Sequence, residues 1–142
     1  MKTLHPSLRV SDLTASLAFY AALGYREVGR VDIAGGTTLV MLKFPDEQFV
    51  SLELVHRPGG DQVQIGTGFS HLGIQVVDLA AAIGGLTRAG REPGPVEYPA
   101  GPDGPQTSWI RDPDGYRIEL VQWPAGHPDG ITVADFEQDA RN

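Results

Sequence analysis

"LHPSLRVSDL" (residues 4–13) falls on "SHLGIQVVDL" (residues 70–79) when the chain is slid against itself by 66 positions. His5 then meets His71, Val10 meets Val76, Asp12 meets Asp78 and Leu13 meets Leu79. With no gap introduced, Leu17 meets Ile83, Gly24 meets Gly90, and "ELV" at 53–55 meets "ELV" at 119–121. The identities are few, but they fall at strand, cap and turn positions. The chain therefore reads as two copies of one unit.

Each copy reads in the same way. In the first, residues 4–10 alternate as a strand, Ser11 or Asp12 serves as N-cap, and a helix follows with Leu13, Leu17 and Tyr20 on one face and Gly24 as its stop. In the second, Asp78 is the cap, Leu79, Ile83 and Leu86 form the face, and Gly90 is the stop. Three strands are predicted after each helix, near 25–33, 37–44 and 49–56, and near 92–97, 107–111 and 116–123. "AGG" at 34–36 and "DPDG" at 112–115 are turns. The expected fold is α+β: two tandem βαβββ modules forming curved, mostly antiparallel sheets with helices on the outside. One domain spans 1–123, with modules at 1–57 and 68–123, and "RPGGDQVQIGTG" (57–68) joins them. Residues 124–142 form a tail in which Thr132 and Asp135 mark the start of a short acidic helix and Phe136 offers a docking side chain.

Composition narrows the function. At 142 residues, 41% hydrophobic and 20% charged, the chain suits one ordinary globular domain. A net charge of −7 with no basic stripe argues against a nucleic-acid partner. Without cysteine, disulfides, thiolate metal sites and Cys nucleophiles are excluded. No signal-like or membrane-length apolar run is present, so a cytoplasmic location with no membrane partner is the expectation.

The polar faces of four strands point to chemistry. Leu4, Pro6, Leu8 and Val10 lie opposite His5, Ser7 and Arg9. Val50, Leu52 and Leu54 lie opposite Ser51, Glu53 and Val55; Leu72, Ile74 and Val76 lie opposite His71, Gly73 and Gln75; Ile118 and Leu120 lie opposite Arg117, Glu119 and Val121. Each strand has one face for a helix to cover and one His or Glu on the reverse. Related by the repeat, His5, Glu53, His71 and Glu119 read as the centre of a pocket wall. Gathered carboxylates need pairing, protonation or a cation, and a divalent ion suits this N and O donor set, with Zn, Ni, Co, Mn and Fe all compatible.

At these residues the sequence resembles glyoxalase I and its relatives in the vicinal-oxygen-chelate (glyoxalase, bleomycin resistance and dioxygenase) superfamily, over nearly all of residues 3–123. The resemblance is carried by "LHPSLRVSDL", "SLELV", "SHLGIQV" and "DPDGYRIEL". It implies a metal-dependent lyase or isomerase, similar to lactoylglutathione lyase, that converts the hemithioacetal of a 2-oxoaldehyde and a thiol to a 2-hydroxy-acid thioester through an enediolate. His5, Glu53, His71 and Glu119 match the short bacterial glyoxalase I ligand set, with Glu119 as the proton-moving base and Glu53 as ligand or second base. Arg9 matches an arginine that holds a carboxylate of glutathione. Arg57 stands where glutathione-using members have Asn, and Trp109 faces the pocket if its strand keeps register. Those members also carry a flap Lys, whereas residues 92–110 contain neither Lys nor Arg. The alternatives are a small-molecule binding or resistance protein on the same fold, and an acyl-thioester epimerase, whose resemblance is weaker because such proteins commonly have Gln at the position of Glu53.

Two further expectations concern assembly and metal. A βαβββ half cannot close a pocket alone, so two halves must face each other, within one chain or across two. Glyoxalase I pairs them across chains, which implies a homodimer with sites at its interface. Two His, two Glu and two open positions make an octahedral site, so one divalent ion per site is expected, with Ni or Co preferred and Zn possible.

Overall fold

The computed structural model describes residues 1–127, 132–134 and 136. Its elements are β1 (Ser7–Val10), α1 (Leu13–Leu23), β2 (Arg26–Ile33), β3 (Thr37–Lys43), β4 (Leu52–His56), β5 (Leu72–Gln75), α2 (Leu79–Arg88), β6 (Gln106–Arg111) and β7 (Arg117–Gln122). They form an α+β fold with a four-stranded sheet, β1-β4-β3-β2, and a three-stranded sheet, β5-β7-β6. The described residues divide into two compact units: Met1–Ser70 with Arg111–Arg117, and His71–Ile110 with the described residues from Ile118.

In the first unit, β1 runs parallel to β4, and β3 runs antiparallel to β4 and β2. Leu8 and Val10, Val40 and Leu42, and Leu52 and Leu54 all bury the same sheet face. Helix α1 starts at Asp12, whose side chain accepts from the Ala15 amide, and ends at Gly24, where φ is +107°. Its buried residues are Ser16, Phe19 and Tyr20, not the expected row of Leu13, Leu17 and Tyr20. A serine on the covered side disguised that face. The edge-on rings of Phe19, Tyr20 and Tyr25, with Phe44 against Tyr25, complete this core.

The "DPDG" turn belongs to this unit and is built around Asp112, which is 5% exposed. Its carboxylate accepts from the Tyr20 hydroxyl at 3.0 Å and from the Asp114 and Tyr116 amides at 2.9 Å each. Burial outweighs these donors and pushes the Asp112 carboxyl above the usual carboxylate range. Burial, then the nearby Asp112 charge, holds the Tyr20 hydroxyl well above the usual phenol range.

In the second unit, β5 runs parallel to β7, and Ile74, Leu79, Leu86, Ile110, Ile118 and Leu120 form the core. Asp78 caps α2 by accepting from the Ala81 amide. The expected strand at 92–97 is absent as a continuous element. Pro93 and Pro95 lack the amides a ladder needs, and only Glu97 pairs with Thr107 as an isolated bridge. The expected β1 is also shorter, with Leu4, His5 and Pro6 ahead of it. The cap reading of Thr132 and Asp135 lies outside the described residues, because Asp135 is not among them.

Candidate functional site

The registers of the two parallel pairs repeat one another. Ser7 lies opposite Glu53, and 66 positions on Gly73 lies opposite Glu119. Leu8 with Leu54 corresponds likewise to Ile74 with Leu120. Residues opposite each other in a parallel pair project to one face, so each unit carries its Glu on the side away from its helix.

In the first unit Glu53 is half-buried, and its Oε1 accepts from the Ser7 hydroxyl at 2.7 Å. The Glu53 amide bonds to the Pro6 carbonyl, so the pairing continues one residue beyond β1 toward His5. His5 is partly exposed, with Nδ1 3.3 Å from the Pro6 carbonyl oxygen. The tautomer protonated at Nδ1 donates there and leaves the Nε2 lone pair for another partner. Arg9 is exposed on the same face as Ser7, and its Nη2 donates to the Asp61 carbonyl at 2.7 Å. Gly60 makes that contact possible: a Cβ there would stand 2.9 Å from Arg9 Nη2 and 3.2 Å from the Arg57 carbonyl oxygen. Arg57 is exposed, with its guanidinium reaching toward the Gly35 turn.

In the second unit His71 Nε2 stands 3.4 Å from Glu119 Oε2, with the two side chains 36% and 22% exposed. The Trp109 ring meets the His71 ring edge-on, 5.1 Å between centroids. Trp109 thus lies on the same sheet face as the His and Glu, while Ser108 and Ile110 turn into the core. Two donors at about 2.1 Å from one ion and at right angles stand about 3 Å apart, so this pair is close to the spacing of neighbouring ligands on a divalent ion. The donor types fit such an ion as well. His5 and Glu53 lie in one unit and His71 and Glu119 in the other. Among the described residues no group of three or more His, Asp or Glu is placed to hold a metal ion.

Alternation along β1 signalled that Ser7 shares this face, but not that its hydroxyl holds Glu53. The Asp61 carbonyl under Arg9 had no signal, because it comes from a loop 52 residues away.

Residues 2–120 match the model of the Glyoxalase/Bleomycin resistance protein/Dioxygenase superfamily, and the chain belongs to that family. A lactoylglutathione lyase of Neisseria meningitidis is 35% identical over 133 residues, covering 89% of this chain and 94% of that protein. Among solved structures, the trypanothione-dependent glyoxalase I of Leishmania major is similar with a TM-score of 0.75 and 26% identity, over 100% of this chain and 99% of that one. Glyoxalase I of Zea mays is similar with a TM-score of 0.72 and 30% identity, over 87% of this chain and 45% of the longer maize chain. The protein is a lactoylglutathione lyase-like enzyme of this superfamily. No helix among the described residues is long and apolar enough to cross a membrane.

Proposed function

We propose that the protein is a metal-dependent glyoxalase I-type lyase, converting the hemithioacetal of a 2-oxoaldehyde and a thiol into the thioester of a 2-hydroxy acid. The observation that carries this reading is the repeated His-and-Glu face, with His71 and Glu119 already 3.4 Å apart and Glu53 in the equivalent register. The lactoylglutathione lyase relatives support it. His5, Glu53, His71 and Glu119 would hold one divalent ion, Ni or Co for best activity and Zn also accepted. That ion would supply Lewis-acid stabilisation of charge developing on two vicinal oxygens.

The chain's own residues do the rest. Glu119 takes the proton from the carbon bearing the hydroxyl and sulfur, leaving an enediolate, and a carboxylic acid returns a proton to the adjacent carbon. The carbon–sulfur bond is retained, so the hemithioacetal becomes a thioester with no oxidant consumed. Glu53, aimed by Ser7, serves as ligand or as the second proton carrier. Trp109 shields the His71 side from water, and Arg9 and Arg57 offer cationic contacts to the thiol's remote end. Each site takes His5 and Glu53 from one copy and His71 and Glu119 from a second, in a cytoplasmic homodimer.

Titration of metal-free protein with Ni, Co and Zn, followed by turnover of methylglyoxal hemithioacetals, tests this. One ion per site and greater activity with Ni or Co than with Zn are expected. Absence of turnover with every metal, together with tight binding of an unrelated small molecule, would favour a binding or resistance protein instead.

A further inference from the structure

The two carboxylate positions match in register but differ in the residue that stands opposite. Ser7 lies opposite Glu53 across the β1–β4 pair, and Gly73 lies opposite Glu119 across the β5–β7 pair. The Ser7 hydroxyl donates to Glu53 Oε1 at 2.7 Å, a well-formed bond to a charged acceptor that leaves Oε2 for an ion. Glycine gives Glu119 no such bond. Glu119 Oε2 stands 3.4 Å from His71 Nε2, longer than a well-formed N–H···O bond, and His71 is itself a candidate ligand. A hydroxyl would fit at this position, because the Gly73 φ is not left-handed and a Cβ there would meet no atom within 4 Å. One carboxylate is therefore tied to the neighbouring strand, and the other is not.

We infer that Ser7 is a positioning residue that makes the two carboxylates unequal. It holds Glu53 as a standing ligand, while Gly73 leaves Glu119 able to turn between ion and substrate. The inference rests on the lyase reading above and assigns Glu53 the ligand role alone. To take a proton from carbon, a carboxylate oxygen must turn toward the substrate. Glu53 would first have to give up the Ser7 bond, and a hydrogen bond to a charged group is worth about tenfold or more in such an equilibrium. Glu119 gives up no comparable bond. It accepts the proton while the carbon–hydrogen electron pair stays on the substrate. The carboxyl so formed returns a proton to the adjacent carbon, and the protein ends as it began.

The test reads Ni affinity of metal-free protein by competition titration, together with kcat and KM of Ni-loaded protein for the methylglyoxal–glutathione hemithioacetal. Ser7→Ala should lose about tenfold in Ni affinity with kcat at saturating Ni little changed, and Ser7→Thr should restore the affinity. Gly73→Ser gives Glu119 the donor it lacks, so kcat should fall about tenfold with KM unchanged and Ni affinity kept or raised. Gly73→Ala adds the same Cβ without the hydroxyl and should retain kcat. If Ser7→Ala leaves Ni affinity unchanged, or Gly73→Ser turns over like Gly73→Ala, the proposal is overturned. If the native protein binds Ni but turns over no adduct, the lyase reading fails and the Ni titration decides the Ser7 role: a tenfold loss in Ser7→Ala sustains it. If the native protein neither binds Ni nor turns over an adduct, both are overturned.

Discussion

Ser7 and Asp112 show how single side chains act through others. The Ser7 hydroxyl holds Glu53 at 2.7 Å, and partners that orient a metal ligand typically matter about tenfold for metal affinity. Ser7→Ala should therefore weaken Ni binding about tenfold in a competition titration, and Ser7→Thr should restore it. An unchanged affinity would show that Glu53 needs no such support. Asp112 presents a stability question with a definite sign. Its folded-state carboxyl binds its proton more tightly than the unfolded one, so its contribution is present below the ordinary carboxylate range and lost as pH rises through the folded value. Asp112→Asn keeps an oxygen for both backbone amides and an amide for Tyr20. Denaturant unfolding of the two proteins should then diverge as pH rises through that range, with the Asn variant relatively more stable at neutral pH. Asp112→Ala, which orphans two buried donors and one half-buried one, should cost about 3 kcal/mol.

At the scale of elements, the two helices begin alike, and each rests on one aspartate. Asp12 and Asp78 each accept from the amide three residues on. Replacing either with Ala should cost about 1 kcal/mol in chemical denaturation. The two losses should add, because the caps lie in separate units. The 92–97 segment is the element where the copies diverge. Pro93 and Pro95 leave it with two amide contacts to β6, from Gly94 to the Trp109 carbonyl and from Glu97 to the Thr107 carbonyl. Amide hydrogen exchange should find Glu97 and Gly94 protected and Val96 and Tyr98 fast; uniform protection would mean a continuous strand.

At the scale of the whole molecule, the four proposed ligands fall in two pairs, one in each unit, and the proposed dimer makes a sharp prediction. His5→Ala and Glu119→Ala homodimers should each lack metal binding. After subunit exchange, a mixed dimer has one site carrying both lesions and one site with all four ligands intact. Metal binding and activity should therefore return toward about half the native value per mixed dimer, since one of its two sites is whole. If subunits exchange, as mass spectrometry of differently tagged chains would show, and nothing returns, the ligands of a site come from one chain.

The 66-residue offset lay open in the sequence because strand alternation, aspartate caps and glycine stops are local signals, written within a few residues of where they act. Those signals suffice for two α+β units with Glu53 and Glu119 in equivalent registers on the faces away from the helices. They do not suffice where distant groups decide. A strand is predicted near 92–97, but Pro93 and Pro95 lack the amides that a continuous ladder needs. The buried row of α1 departs from its apolar pattern because Ser16, polar by type, is covered by its surroundings. The "DPDG" stretch announced a turn, but its Asp112 meets a tyrosine 92 residues earlier and its Asp114 meets the Ser11 amide 103 residues earlier. Such contacts leave no periodicity or spacing in the chain. They exist only because folding brings remote donors to the two carboxylates of this turn, and only the tertiary structure records which donors those are.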